Sequence, residues 1–339
     1  MRPFRHDLAI DLGTANMVIY KDGKLALDEP SAVALLPKDD GRAQFIEVGS
    51  RAVSTMWENP RIKVVYPLDY GKAPHYEGAE EFLLTKLIKK TGIKHAFFYR
   101  FMDTHPRILF ATPSVIPQGL NDALKSVVKK LGYEAYVMHK PLAAAIEIGR
   151  DFYEDGGMLV DIGASGSVIS VVANECIVQD YPSRIGGNRF SQLLIPFVAE
   201  EHGTRIGFST ATRVKIEIGS ASQDGTNEGY RLIGPDVTTG KPKRIMLTSY
   251  EIASYLNESL LELENEIRSV LNFTPPELIA KIVRSGIHLI GGSAQLRNLD
   301  KRLSENLGIS CRVVDNPRHI VAQGAYKAMM EESGLLLTL

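Results

Sequence analysis

The sequence predicts an α/β protein made of two similar halves that hold a ligand between them, and three observations carry that expectation. The stretch Leu8 to Tyr20, LAIDLGTANMVIY, is an apolar run that ends in Asp11, passes through Leu12-Gly13-Thr14-Ala15-Asn16 and resumes as Met17-Val18-Ile19-Tyr20. That is the pattern of two strands joined by a tight polar turn. The same order returns in Met158 to Val172, MLVDIGASGSVISVV, with Asp161, one apolar residue, Gly163 and a polar turn between apolar strands. A third glycine turn, Gly291-Gly292-Ser293, follows the short apolar strand from Gly286 to Ile290. One such turn alone reads as an ordinary hairpin; two halves each opening with it argue for a duplication around a ligand.

The turns suit an anion. Gly13 lets a ligand approach the backbone with no Cβ in the way, and the small polar residues after it leave N–H groups to point at negative charge. Asp11, at the strand end, suits a hydrated cation. Behind Gly291-Gly292-Ser293, the residues Leu296, Leu299, Leu303 and Leu307 mark a helix whose amino terminus suits a phosphate or ribose oxygen.

Taken in order, the opening hairpin is followed by a turn at Lys21 to Lys24, a strand through Leu25 to Leu27 and an apolar segment from Ala32 to Leu36, together a meander of antiparallel strands. Residues Pro37 to Tyr66 are mixed and polar, with a strand at Phe45 to Val48. From Gly78 to Lys90, Phe82, Leu83, Leu87 and Ile88 recur at helical spacing, with acids at the start and Lys89-Lys90 at the end, as the helix dipole favours. A strand at Ile108 to Ala111 leads through Thr112-Pro113-Ser114 into a helix from Gln118 to Leu131, with Gly132 placed to stop it. Ala135 to Met138 is the next strand, and Pro141 to Ile146 continues the rhythm. Arg184 to Ser222 reads as helical, and Asp224 to Leu247 as a small strand-bearing piece. Thr248-x-x-Glu251 and Thr274-x-x-Glu277 are capping-box patterns that open two further helices.

The bulk properties exclude more than they assign. A chain of 339 residues with 44% hydrophobic content is long enough for two domains or one large bilobed one, with a proper core. A formal net charge of -1 gives no nucleic-acid signal. Cys176 and Cys311 are far apart beside apolar residues and read as reduced core thiols, and no cluster suggests a metal site. No apolar run has the length to cross a bilayer, and no signal peptide is evident, so a cytoplasmic protein is expected.

These residues resemble the actin-like ATPases, and within them the bacterial MreB type. The resemblance covers nearly the whole chain and rests on DLGTAN from Asp11, LDEPSAVAL from Leu27, ATPSVIP from Ala111, KPLAAAI from Lys140, VDIG from Val160, RIGG from Arg184, KIEIGSA from Lys215, TGKPK from Thr239, TPPELIA from Thr274 and GIHLIGGSAQLRNLDKRLSE from Gly286. It implies an actin-like fold, a duplicated ribonuclease-H-like arrangement of two lobes, each with a large and a small subdomain, around ATP or ADP and magnesium. It also implies a homopolymer, with subunits stacked head to tail into filaments. The implied division is 1–31, 67–140 and 314–339 for one large subdomain with 32–66 as its small one, then 141–183 and 248–313 for the other large subdomain with 184–247 as its small one.

Carried over position by position, Asp11 and Asp161 correspond to the carboxylates that hold hydrated magnesium. Gly13, Thr14, Ala15 and Asn16 correspond to the first phosphate loop, and Gly163, Ala164, Ser165 and Gly166, running on to Ser167, to the second. Lys215, Thr212, Gly291, Gly292 and Ser293 stand at nucleotide-contacting positions.

The departures fall on the chemistry. Lys140 stands before Pro141, where the family's catalytic glutamate orients the attacking water, and a cation does not accept a proton from water. Gly166 replaces a loop threonine that helps hold that water, and Thr212 replaces an acidic partner of Lys215. The expectation is retained nucleotide binding with slow or lost hydrolysis. Two positions for Lys140 remain open, one pairing with the terminal phosphate and one pointing to solvent.

Phe97, Phe98 and Phe101 sit where MreB-type proteins carry a membrane-inserting loop, with Arg2, Arg5 and Arg100 to add attraction to anionic lipid. A peripheral contact with the inner face of a membrane is one expectation for them, and a core or filament contact the other. A phosphotransferase or chaperone on the same fold, and a non-polymerising nucleotide-binding scaffold, are the competing functions.

Overall fold

The computed structural model describes residues 6–38, 42–55, 59–69, 76–93 and 106–339. The chain divides into two units, Met1–Tyr153 with His319–Leu339, and Glu154–Arg318. In the first, a six-stranded sheet runs in the order Leu337–Thr338, Glu134–His139, Arg107–Thr112, Leu8–Leu12, Asn16–Lys21, Lys24–Pro30. Leu8–Leu12 pairs antiparallel with Asn16–Lys21 and parallel with Arg107–Thr112, which is itself parallel to Glu134–His139. Every residue of Arg107–Thr112 is buried, and the apolar run Ile108 to Ala111 at its centre is what a central parallel strand requires.

Around this sheet, Ile10, Ile19 and Phe110 share one core with Leu83, Leu84 and Leu87 of helix Ala79–Lys90 and with Leu124 and Val127 of helix Gln118–Leu131. Gly132 ends the latter helix at φ 73°, a left-handed conformation that glycine adopts without a Cβ penalty. Beside Leu8–Leu12, the buried Asp7 carboxylate accepts from the Arg107 guanidinium at 2.7 Å and from the Arg107 backbone N–H at 2.9 Å. Val33–Pro37, Ala43–Val48 and Lys63–Val65 form a separate three-stranded sheet.

The second unit repeats the plan. Its sheet runs Cys176–Ser183, Ser167–Ala173, Gly157–Ile162, Ile287–Ile290, Cys311–Val313, with the first three antiparallel and the last three parallel. This is the succession of Lys24–Pro30, Asn16–Lys21, Leu8–Leu12, Arg107–Thr112 and Glu134–His139 in the first unit. The duplication expected from the two Asp-x-Gly patterns is therefore present in the strand order. Helices Gly187–His202, Phe208–Ile218, Ser249–Asn272, Pro276–Ser285 and Leu299–Leu307 accompany this sheet, and Gly229–Pro235 pairs with Pro242–Thr248 as the small strand-bearing piece.

Three expectations are corrected. The capping box at Thr248 and Glu251 forms in full, but the one at Thr274 does not. Helix Pro276–Ser285 begins after Pro275, and the Thr274 hydroxyl donates back to Val270 O at 2.7 Å, at the end of the preceding helix. The helix expected directly behind Gly291-Gly292-Ser293 is first a 3₁₀ turn, Gly292–Gln295, and the α-helix starts only at Leu299. Cys311 is a buried free thiol, but Cys176, also free, is exposed at the start of the outer strand Cys176–Ser183. Among the described residues, no helix is long and apolar enough to cross a membrane and no group of acidic, histidine and cysteine residues is arranged for a metal ion. Phe97, Phe98 and Phe101 lie outside the described residues.

Candidate functional site

Strand register places the candidate residues of the first unit. Asp11 is level with Ala111, which is level with Met138, so Asp11 and the start of helix Lys140–Ile148 share one end of the sheet. The hairpin turn is Gly13-Thr14-Ala15-Asn16, between the paired residues Leu12 and Met17. A Cβ on Gly13 would overlap the Asn16 carbonyl, so this corner of the turn requires glycine. Ser31 braces the turn, its hydroxyl donating to Gly13 O at 2.6 Å and its N–H to Ala15 O at 2.8 Å. Asn16 Nδ2 donates to Asp28 Oδ1 at 3.3 Å, and His319 Nε2 lies 3.0 Å from the other oxygen of that carboxylate.

Lys140 is turned onto Asp11 and away from solvent. Its Nζ lies 2.8 Å from Asp11 Oδ1 and donates to Leu12 O at 2.8 Å, with the two side chains only 18% and 13% exposed. Asp11 Oδ1 has no aligned hydrogen bond, so this contact is an ion pair and the ammonium is what balances the buried charge.

In the second unit, Asp161 is level with Ile290, which brings Gly291 beside it at the strand end. Gly291 has φ +86°, and a Cβ there would run into the Asp161 carboxylate and lie 2.6 Å from Ile162 O. The turn Gly163-Ala164-Ser165-Gly166 has the same length as its counterpart and closes with Gly163 N–H on Gly166 O at 2.9 Å. Around it, Ser293 Oγ donates to Gly163 O at 2.9 Å, the Gly187 N–H to the same oxygen at 3.0 Å, and the Asn188 N–H to Ala164 O at 2.7 Å. Lys215 Nζ and Ser191 Oγ both donate to Gly187 O, and Thr212 Oγ1 donates to Ser191 Oγ at 3.0 Å. Gly163, Ser293, Lys215 and Thr212, scattered over 130 residues of sequence, thus share one hydrogen-bonded group. A Cβ added at Gly292 would make only an ordinary contact, with Arg318 Cγ at 3.6 Å.

Gly166 packs so closely on Ser183 that a Cβ would overlap the Ser183 carbonyl, and a Cβ added at Gly186 would lie 2.7 Å from Gly166 N. The position that carries a threonine in the resembling family therefore has no room for one here. The neighbouring hydroxyl, Ser167 Oγ, is buried and given to Ile185 O.

Burial pushes the Lys215 pKa down from 10.5 to about 8. Between these values the unfolded chain holds a proton that the folded chain does not, so stability rises with pH across that window. Below pH 8 the full cost of the buried charge is present, up to about 3 kcal/mol. Lys215→Met is accordingly expected to be more stable than the parent at pH 7 in urea unfolding, with the gap closing as pH approaches 10.5. A gap that stays constant over the window would disprove the assignment.

Sequence reasoning assigned no role to Ser31, Asp28, Gly187, Ser191 or His319. Asp28 and Ser31 lie within the LDEPS segment and Gly187 within RIGG, so the signal was present as motif letters; Ser191 and His319 carried none.

With this geometry in place, the relatives of the chain are informative. The MreB/Mbl protein family model matches residues 5–335. The cell shape-determining protein MreB of Escherichia coli K12 is 34% identical over 331 residues, covering 96% of this chain and 94% of that protein. The crystal structure of MreB5 of Spiroplasma citri bound to ADP superposes with a TM-score of 0.85 at 26% identity, covering 97% of both chains, and the same protein bound to AMPPNP with 0.82 at 25% identity, again over 97% of both. The MamK double helical filament subunit shares the fold, with a TM-score of 0.77 at 19% identity over 96% of this chain and 99% of that one. The actin-like fold and the match of the family model over nearly every residue make this chain a member of the MreB/Mbl family.

Proposed function

We propose that this chain is a cytoskeletal protein of the actin-like kind that binds ATP or ADP at its glycine turns and assembles with copies of itself into filaments. The observation that carries the reading is the pair of Asp-x-Gly turns, each at a sheet end, the first containing Gly13 and the second Gly166, neither of which admits a side chain, and each braced by a serine hydroxyl. Relatives support it: the S. citri structures hold ADP and AMPPNP, and MamK is seen as a filament. Gly13, Thr14, Ala15 and Asn16 in the first unit, and Gly163, Ala164, Ser165 and Gly166 in the second, are the proposed phosphate-binding backbone. Lys215, Thr212, Gly291, Gly292 and Ser293 are the proposed nucleoside side of the site.

Hydrolysis in this reading is slow. Lys140 carries no lone pair to take a proton while it is an ammonium, and Gly166 offers no hydroxyl to hold water. Loss of a positioned base accounts for about a 10²-fold slower reaction or more. Electron microscopy with ATP, with ADP and without nucleotide tests assembly; filaments that need nucleotide are expected, and none under any condition overturns the filament reading. Phosphate release as fast as that of E. coli MreB would overturn slow hydrolysis. We further propose a peripheral contact of Phe97, Phe98 and Phe101 with the cytoplasmic face of a membrane, which unchanged liposome pelleting of a Phe97→Glu, Phe98→Glu double variant would refute.

The magnesium ion that accompanies nucleotide in the resembling proteins is the part that does not fit. Asp161 retains a carboxylate beside Gly291, but Asp11 already faces a cation.

A further inference from the structure

We propose that the Lys140 ammonium is a built-in counter-ion that takes the place of a divalent cation, so that this chain binds nucleotide with little or no dependence on Mg²⁺. The inference rests on the nucleotide reading above and deepens it.

A magnesium site of this kind uses one or two carboxylates together with the phosphates, the carboxylates attracting the ion through their net charge. At the first turn that net charge is cancelled. Lys140 Nζ lies 2.8 Å from Asp11 Oδ1 and 2.8 Å from Leu12 O. Leu12 immediately precedes the phosphate turn, so the ammonium is anchored at the root of Gly13-Thr14-Ala15-Asn16. Both partners are largely shielded from water, where opposite charges interact more strongly than in bulk solvent and a second cation is repelled more strongly too.

The position is fixed by the fold. Asp11 ends a strand, and Lys140 opens a helix two residues after the strand position level with it, the helix being held along its length by helix Ile320–Met330, where Lys327 Nζ donates to Ile146 O at 3.1 Å. A neutral pair also removes the repulsion that an unmatched Asp11 would exert on a polyphosphate. The ammonium thus does one of the things a divalent ion does at this edge: it balances the carboxylate, so that no net negative charge opposes the anion.

The test is a titration of the full chain with a fluorescent ADP analogue, read by anisotropy, in excess Mg²⁺ and in excess EDTA. The expected dissociation constants agree within about threefold, whereas Lys140→Ala, which leaves Asp11 unmatched, binds about tenfold or more weakly in EDTA than in Mg²⁺. Wild-type protein that binds only with Mg²⁺, or about tenfold better with it, overturns this inference and leaves the nucleotide reading standing. No binding in either buffer overturns both. Lys140→Ala that stays as indifferent to Mg²⁺ as the parent overturns the role of Lys140. Should that variant fail to fold by circular dichroism, the wild-type comparison still decides.

Discussion

Arg107→Met is expected to lower the stability of the first unit by about 3–5 kcal/mol, the cost of leaving a buried carboxylate without its cation. Asp7 is 2% exposed, and Arg107 meets it with Nε at 3.2 Å, a terminal nitrogen at 2.7 Å and the backbone N–H at 2.9 Å. Methionine fills much of the volume of the arginine stem, so the loss isolates charge from packing. The backbone N–H remains and satisfies one oxygen. The Asp7→Asn, Arg107→Met double variant keeps that acceptor without the charge, and is expected to recover more than half of the loss. Urea unfolding monitored on all three proteins checks this, and a single-variant loss below about 1 kcal/mol would place the pair among the ion pairs of little net worth.

Gly324→Ala is expected to cost about 1–3 kcal/mol, the usual range for forcing a methyl into a packed core. Gly324 sits on helix Ile320–Met330 where it crosses helix Lys140–Ile148, and an added Cβ would overlap the Ala143 carbonyl and lie 3.2 Å from Glu147 Cβ. The obstacle is backbone, which cannot rotate aside as a side chain can. The helices must separate, and the buried alanines of the two helices, Ala143, Ala144 and Ala145 on one and Ala322, Ala325 and Ala328 on the other, have no long side chain to refill the gap. Because helix Lys140–Ile148 carries Lys140 at its first residue, the same variant should weaken nucleotide binding as well as stability. Gln323→Ala, one residue away, is the control and is expected to change the urea midpoint little; equal losses in the two variants would show that contact with Ala143 is not the cause.

What the sequence made readable was whatever depends on neighbours in the chain. The hairpin at Leu8 to Tyr20 and its copy at Met158 to Val172 follow from alternation and glycine placement, and helix Gln118–Leu131 begins and ends where its apolar period and Gly132 place it. The capping box at Thr248 is likewise local, and it forms. Thr274 carries the same letters, yet its hydroxyl finds Val270 O and the side chain of Gln179, which lies 95 residues away. Cys176 has apolar neighbours in sequence but lies at the start of an outer strand, an edge that only the strand order reveals. The departure at Lys140 was visible as a letter; its pairing with Asp11, across 128 residues to Leu12 O and through three aligned strands, was not. Gly166 read as a missing hydroxyl, and only the packing on Ser183 explains why no side chain stands there.

The first unit is discontinuous, interrupted after Tyr153 and resumed at His319, and this fixes an order of events during synthesis. All of Glu154–Arg318 has been translated before helix Ile320–Met330 and strand Leu337–Thr338 exist. Until they do, helix Lys140–Ile148 lacks its packing partner and strand Glu134–His139 lacks the antiparallel neighbour on its outer side. Domains fold as units once their residues are available, so the first unit, though begun first, cannot be complete until the residues after Arg318 have been made. The helix that presents the counter-ion to Asp11 is among the last parts of the molecule to be locked, although its own residues were made early.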